Sequence, residues 1–227
     1  MTVPSGSRPA GTGRLVTGVA WAVLLLGLWL WGHEAAEGFG GASGPTTGDM
    51  AAVGRPLRVE LPPAHDPIAA AEPRWVEVPS LGIAAPVVAR GLDASGAIDP
   101  PPFERAHTVG WFGPGTRPGA AGAALLVGHV DTNTRPAVFY GLSAARPGEK
   151  VRVTRTDGSV AEFTVDDVQV HPRDDFDPSK VYGPRDPRRA ELRLITCGGT
   201  FDRAAGTYTA NVVVSAYLTA TEAPESP

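Results

Sequence analysis

From Pro73 onward the chain is a succession of short apolar runs punctuated by Gly and Pro: Trp75-Val76-Glu77-Val78, Ile83 to Val88, Ala123 to Val127, Val151-Arg152-Val153, Phe163 to Val170, Glu191 to Thr196 and Asn211 to Leu218. Their lengths, their alternation and the turn residues between them are the signature of β-strands. No stretch in this region sustains a helical period with caps at both ends, so the pattern predicts an all-β barrel or sandwich. At about 150 residues this is one domain of ordinary size, and no internal repeat divides it.

The pattern upstream is different. Leu15 to Trp31 is an uncharged apolar run, and as a helix it would extend about 25 Å, just enough to cross the hydrocarbon core of a bilayer. Arg8 and Arg14 precede it without any acidic residue, whereas Glu34 and Glu37 follow it. The positive-inside rule therefore predicts a cytoplasmic segment 1–14, a transmembrane anchor 15–32 and export of everything beyond. A cleaved secretory signal is the rival reading, with only weak small-residue cleavage candidates at Gly38-Phe39-Gly40 and Gly41-Ala42-Ser43. Residues 33–72 are dominated by Gly, Ala and Pro and read as a flexible tether, because such a composition buries too little apolar surface to offset its ordering entropy. The strand-rich domain is expected over 73–220, with a disordered tail over 221–227.

Charge and composition narrow the chemistry. The net charge is −4 among 227 residues and the basic residues are scattered, Arg185, Arg188 and Arg189 reading as a short surface run, so nucleic acid is not an expected partner. No His-x-x-x-His pair or calcium-type loop is present, and Asp174-Asp175-Phe176-Asp177 reads as a solvated loop; no metal or cofactor is expected. The chain has a single cysteine, which excludes an internal disulfide and leaves the thiol unexplained as half of a staple.

That cysteine ends a strand: Leu192-Arg193-Leu194-Ile195-Thr196-Cys197-Gly198-Gly199. A free cysteine is often only a small buried hydrophobe, but two following glycines and Arg203 six positions on suit a reactive thiol. Of the five histidines, His129 alone directly follows an apolar strand, Ala124 to Val127 and Gly128. His33 and His65 lie in the expected tether, and His107 and His171 read as surface positions. Asp131 is a candidate to orient His129 from behind, or else a turn residue in Asp131-Thr132-Asn133. The Gly- and Pro-rich stretch from Gly110 to Gly122 reads as a mobile loop near His129.

Papain-like enzymes place the cysteine before the histidine, the reverse of the order here, and the Ser-x-Gly pattern of L,D-transpeptidases is absent before Cys197. The Leu194-Ile195-Thr196-Cys197 strand, the earlier His129 and the later arginine resemble a sortase over about residues 73–220. Leu126-Val127-Gly128-His129-Val130-Asp131, Ala137-Val138-Phe139-Tyr140, Val181-Tyr182-Gly183, Cys197-Gly198-Gly199-Thr200-Phe201-Asp202 and Tyr208-Thr209-Ala210-Asn211-Val212-Val213-Val214 look most like the class F sortases of actinobacteria. The resemblance implies a closed eight-stranded β-barrel with short helices or 3-10 turns in its loops, and a membrane-anchored cysteine transpeptidase. Its partners would be proteins bearing a C-terminal Leu-Pro-x-Thr-Gly-like sorting signal, cleaved between Thr and Gly, and a peptidoglycan precursor or other amine acceptor of the cell wall. Carried onto this chain, Cys197 is the nucleophile and His129 the acid and base, and Thr196 and Asn211 position the peptide; the oxyanion donor is Arg203, nominated from the loop after the cysteine, or else Asn211. One departure stands out: where many sortases carry their arginine on the strand after the cysteine, this sequence has Asn211. The non-enzymatic alternative is a membrane-tethered binding domain on the same barrel, with Cys197 buried and inert.

Overall fold

The computed structural model describes residues 60–94, 96–175 and 177–224, which fall within one compact unit beginning at Leu57. The expected cytoplasmic segment, the membrane anchor and most of the tether lie outside the described residues, as does the end of the tail. Among the described residues no helix is long and apolar enough to cross a membrane.

Eight strands close into a barrel. They are β1 (Pro73–Val78), β2 (Ile83–Arg90), β3 (Val109–Phe112), β4 (Gly122–Val127), β5 (Lys150–Arg155), β6 (Val160–Pro172), β7 (Ala190–Asp202) and β8 (Thr207–Glu222), arranged β1-β2-β3-β4-β7-β8-β6-β5 with β5 returning to β1. Most pairs are antiparallel, but β2 runs parallel to β3 and β4 parallel to β7. Short 3-10 turns at Pro79–Leu81, Phe103–Arg105 and Leu142–Ala144, and one helical turn, α1 (Pro178–Tyr182), occupy the loops.

Strand alternation divides each strand between two environments. Val76, Val78, Leu126, Phe163, Leu192 and Leu194 fill the barrel interior with at most 1% exposure. The opposite face of β4, β7 and β8 carries Leu125, Val127, Ile195 and Val213, which form a second cluster with Ile98 and Val181. A sheet apolar on both faces needs a cover on each, and the loop bearing α1 supplies the outer one.

Three expectations change. The strand β3 is absent from the predicted runs, since Val109 to Phe112 is only four residues long and half of its pattern is supplied by its neighbours. Strands β6, β7 and β8 extend well past their apolar runs, to 13, 13 and 16 residues, because ladder hydrogen bonds require no apolar side chain; β8 thereby takes in residues 221 and 222 of the expected tail. Finally, residues 60–72 of the expected tether lie along the barrel. The His65 amide donates to Leu218, the Ile68 amide to Gly119, and the Tyr217 hydroxyl to the Pro62 carbonyl at 2.6 Å. The buried Arg155 guanidinium donates to the Ala69 carbonyl at 2.6 Å. Specific hydrogen bonds hold what composition alone would leave free.

Candidate active site

Strands β4 and β7 lie side by side and run in the same direction, with Val127 paired to Ile195. The Gly128 amide continues the ladder by donating to the Ile195 carbonyl. His129 follows directly on the end of β4, and Cys197 lies two residues past Ile195 within β7, so both lie just beyond the last β4–β7 pair. Both residues continue the outer face that carries Leu125, Val127 and Ile195, and both line one cavity of about 470 Å³ with Phe103, Asp131, Phe201 and Tyr208. Gly128 allows close packing before His129: a Cβ there would come within 2.7 Å of Phe139 and Val138 side-chain atoms.

His129 is held from the β2–β3 loop. Its Nε2 lies 2.6 Å from the Pro101 carbonyl oxygen and its ring stacks on Phe103 at 4.3 Å between centroids. A carbonyl can only accept, so Nε2 carries a hydrogen and the neutral ring keeps its lone pair on Nδ1. The loop between β3 and β4, expected near His129, leads instead into Gly122 at the opposite end of β4; the Pro101 to Phe103 segment takes its place.

Cys197 is exposed, which removes the premise of a buried, inert thiol. Atoms packed around its sulfur nevertheless exclude enough water to push the thiol above its ordinary range, with Arg173 pulling it down and Asp131 pushing it up. Gly199, two residues on, adopts φ +77° beside the irregularity that breaks the β7–β8 register between Gly198 and Phe201. A side chain would be strained there and would also meet Thr209 Oγ1 at 2.6 Å.

The remaining predicted residues separate. Asn211 is the direct cross-strand partner of Cys197, and on its other side it pairs with His171 of β6. His171, read from the sequence as a surface position, thus belongs to a strand two places from the thiol. Thr196 points the other way, into the barrel: it is 4% exposed and its Oγ1 finds no hydrogen-bond partner among the described residues. Arg203 sits on the exposed turn joining β7 to β8, outside the cavity lining. The cation whose field reaches Cys197 is Arg173, which follows β6, donates its amide to Thr209 and hydrogen bonds the Thr207 hydroxyl on the cavity wall. The sequence hides Arg173 because it follows the exposed end of β6 outside any apolar run, and only the pairing of β6 and β7 on either side of β8 brings it towards the thiol. Asp131 accepts a hydrogen bond from Tyr208, a cavity residue 77 positions away.

A second cavity of about 540 Å³ lies farther along the outer face of β4, lined mainly by apolar groups that include Leu92, Ile98, Phe112, Leu125 and Tyr182. Nearby, Glu191 and Arg193 form a buried ion pair at 2.6 Å, each side chain 3% exposed. Glu191 also accepts the amides of Arg185 and Asp186, which ties the α1 loop to β7. Although burial pushes its carboxyl upward, these donors bring it below the usual carboxylate range. Of the expected basic run, Arg185 pairs with Asp166 and Asp167, and Arg189 lies over the Tyr217 ring at 4.3 Å. Among the described residues no group of His, Cys, Asp and Glu is arranged to hold a metal.

A closed β-barrel whose parallel β4 and β7 deliver a histidine and an accessible cysteine into one cleft defines the protein as a candidate thiol enzyme. Residues 76–219 match the Sortase domain family. The chain belongs to the sortase family and is a cysteine transpeptidase by that membership. Solved structures agree in fold: sortase A of Corynebacterium diphtheriae in a lid-mutant form (19% identity, 67% of this chain and 73% of that one, TM-score 0.50), sortase A of Listeria monocytogenes (19%, 68% and 90%, 0.50) and a sortase of Actinomyces oris (17%, 73% and 89%, 0.51). No curated protein sequence matches.

Proposed function

We propose that this chain is a membrane-anchored sortase of the class F type that cleaves a Leu-Pro-x-Thr-Gly-like sorting signal between Thr and Gly and transfers the protein to an amine of the cell wall. The observation that carries the reading is the convergence of Cys197 and His129 on one cavity, just beyond the last pair of the β4–β7 ladder. The anchor is assigned to residues 15–32, with residues 1–14 cytoplasmic and the barrel outside the cell, on the charge asymmetry around that apolar run.

The thiol loses its proton to His129, and sulfur attacks the Thr carbonyl carbon. The Thr–Gly carbon–nitrogen bond breaks as the imidazolium returns the proton to the leaving glycine nitrogen, which leaves a thioester on Cys197. An amine then attacks that carbonyl, gives a proton to His129 and displaces the sulfur. Arg203, carried on the β7–β8 turn, is assigned to the developing oxyanion, with Asn211 donating to the peptide from across the ladder. Thr196 contributes through its backbone, and the apolar cavity along β4 suits the side chains preceding the scissile bond.

The test is mass spectrometry of the full-length chain incubated with Leu-Pro-x-Thr-Gly and Leu-Ala-x-Thr-Gly peptides and an amine, with Cys197→Ala as control. A Thr-amine product that vanishes in the variant is expected; the same product from Cys197→Ala would refute the assignment. Arg203→Ala and Asn211→Ala then separate the two donors, since an unaffected Arg203→Ala removes Arg203 from the oxyanion role.

A further inference from the structure

Asp131 lies two residues after His129, on the loop closed by the Asp131–Pro136 bridge, and its carboxylate borders the cavity that holds Cys197. Tyr208 donates its hydroxyl to Asp131 Oδ2. That bond, with desolvation and the charge of Asp131, pushes the phenol up to about 12, so Tyr208 is a donor at neutral pH. The second carboxylate oxygen has no such partner: among the described residues no Arg, Lys or His forms an ion pair with Asp131.

An unpaired negative charge beside a nucleophilic thiol works against the thiolate, and Asp131 does push the Cys197 thiol upward. Activation of Cys197 therefore does not account for it. What a half-occupied carboxylate at that place can do is hold a cation, and the cavity around it has the remaining features of an alkylammonium site. Phe103 stacks on His129 and Phe201 meets Tyr208 edge-on at 5.2 Å, so aromatic side chains wall the same cavity that the carboxylate borders. A methylene chain suits those walls and an ammonium suits the carboxylate.

We propose that Asp131, held by Tyr208, is the acceptor-binding residue of this enzyme and selects primary amines that arrive as ammonium ions. The proposal rests on the thioacyl reading above. The bound ammonium gives one proton to neutral His129, and the freed amine nitrogen attacks the thioester carbonyl. As the carbon–sulfur bond breaks, the second nitrogen proton passes to the departing Cys197 sulfur, leaving an amide and a thiol. Attraction to Asp131 concentrates amines over water at the thioester, which favours transfer over hydrolysis.

The experiment follows the full-length chain and its Asp131→Asn variant with a sorting peptide and three nucleophiles in separate arms. These are triglycine, with an N-terminal ammonium; Nα-acetyl-lysine amide, with a side-chain ammonium; and hydroxylamine, uncharged at neutral pH. The expected result is a roughly tenfold fall in amide formed with the cationic amine relative to hydroxamate formed by the same variant. The cationic arm that falls more identifies the kind of acceptor. Tyr208→Phe, which frees the carboxylate without removing its charge, is expected to change the same ratio by less, and Asp131→Glu to restore part of it. If all three nucleophiles decline together in Asp131→Asn, the residue acts through His129 and the proposal is overturned. If the unaltered chain forms no thioacyl enzyme, the transpeptidase reading itself fails, a result distinguishable from the first.

Discussion

The two halves of β7 make opposite use of the same strand. From Ala190 to Thr196 every residue is buried, the apolar side chains alternate between two cores, and the one buried ion pair is saturated: Glu191 holds Arg193 and two loop amides at once. From Cys197 to Asp202 the strand is largely exposed, loses register and passes through a glycine at positive φ. Beside this half lies Asp131 of the loop after β4, which among the described residues forms no ion pair with a cation; at the junction Thr196 Oγ1, turned into the barrel, has no hydrogen-bond partner among the described residues. A satisfied buried charge stabilises and does no chemistry, whereas unmatched groups beside a cavity are available to a ligand. The first half is a foundation and the second half is the working edge.

That contrast predicts that changes beyond Thr196 remove activity at little cost in stability, while changes before it do the reverse. The largest effect is expected from Cys197→Ala, which should abolish peptide cleavage in a mass-spectrometric assay while the thermal unfolding midpoint stays within a few degrees. His129→Ala should lower the acylation rate by about 10²- to 10⁴-fold, the usual contribution of a positioned acid and base; a loss below tenfold would remove it from the mechanism.

Glu191→Ala is expected to break the contrast from the other side. It strands the Arg193 guanidinium in the interior and releases two amides of the α1 loop, so denaturant unfolding should report a loss of about 3 kcal/mol. An unchanged unfolding free energy would mean that the first half owes nothing to its ion pair. Because the folded carboxyl of Glu191 lies below its unfolded value, its contribution is complete above the unfolded carboxylate range and is lost as pH falls through the folded one. Wild-type stability should therefore decline on acidification with a slope that Glu191→Ala reduces.

The smallest effect concerns the charges around the thiol, where Arg173, Asp131, His129 and Tyr208 all border or reach the cleft. Alkylation of Cys197 should accelerate as pH rises, with a midpoint above that of an ordinary cysteine. Arg173→Ala should move this midpoint upward and slow alkylation a few-fold at neutral pH; a shift downward would contradict the role of Arg173 as the cation nearest in effect.

Much of this was legible along the chain. The strands β1, β2, β4, β5, β6, β7 and β8 follow from runs whose apolar period is local, and Cys197 and His129 stood out because each ends such a run. Where the inference stopped, the missing quantity was a long-range pairing. Strand β3 is too short to declare itself without β2 and β4 on either side. Residues 60–72 look like a tether until Arg155 and Tyr217 bind them.

By itself the sequence determined the all-β class, the lone thiol, its histidine and the family they resemble, because those depend on residue types at short separations. Only the tertiary structure decided that Asn211 faces Cys197 and that Thr196 turns inward. It alone brought Arg173 into the field of the sulfur and the Tyr208 hydroxyl onto Asp131. These are matters of register and of which strands become neighbours when the barrel closes, and a shift of one residue in any ladder would reassign every side chain to the opposite face.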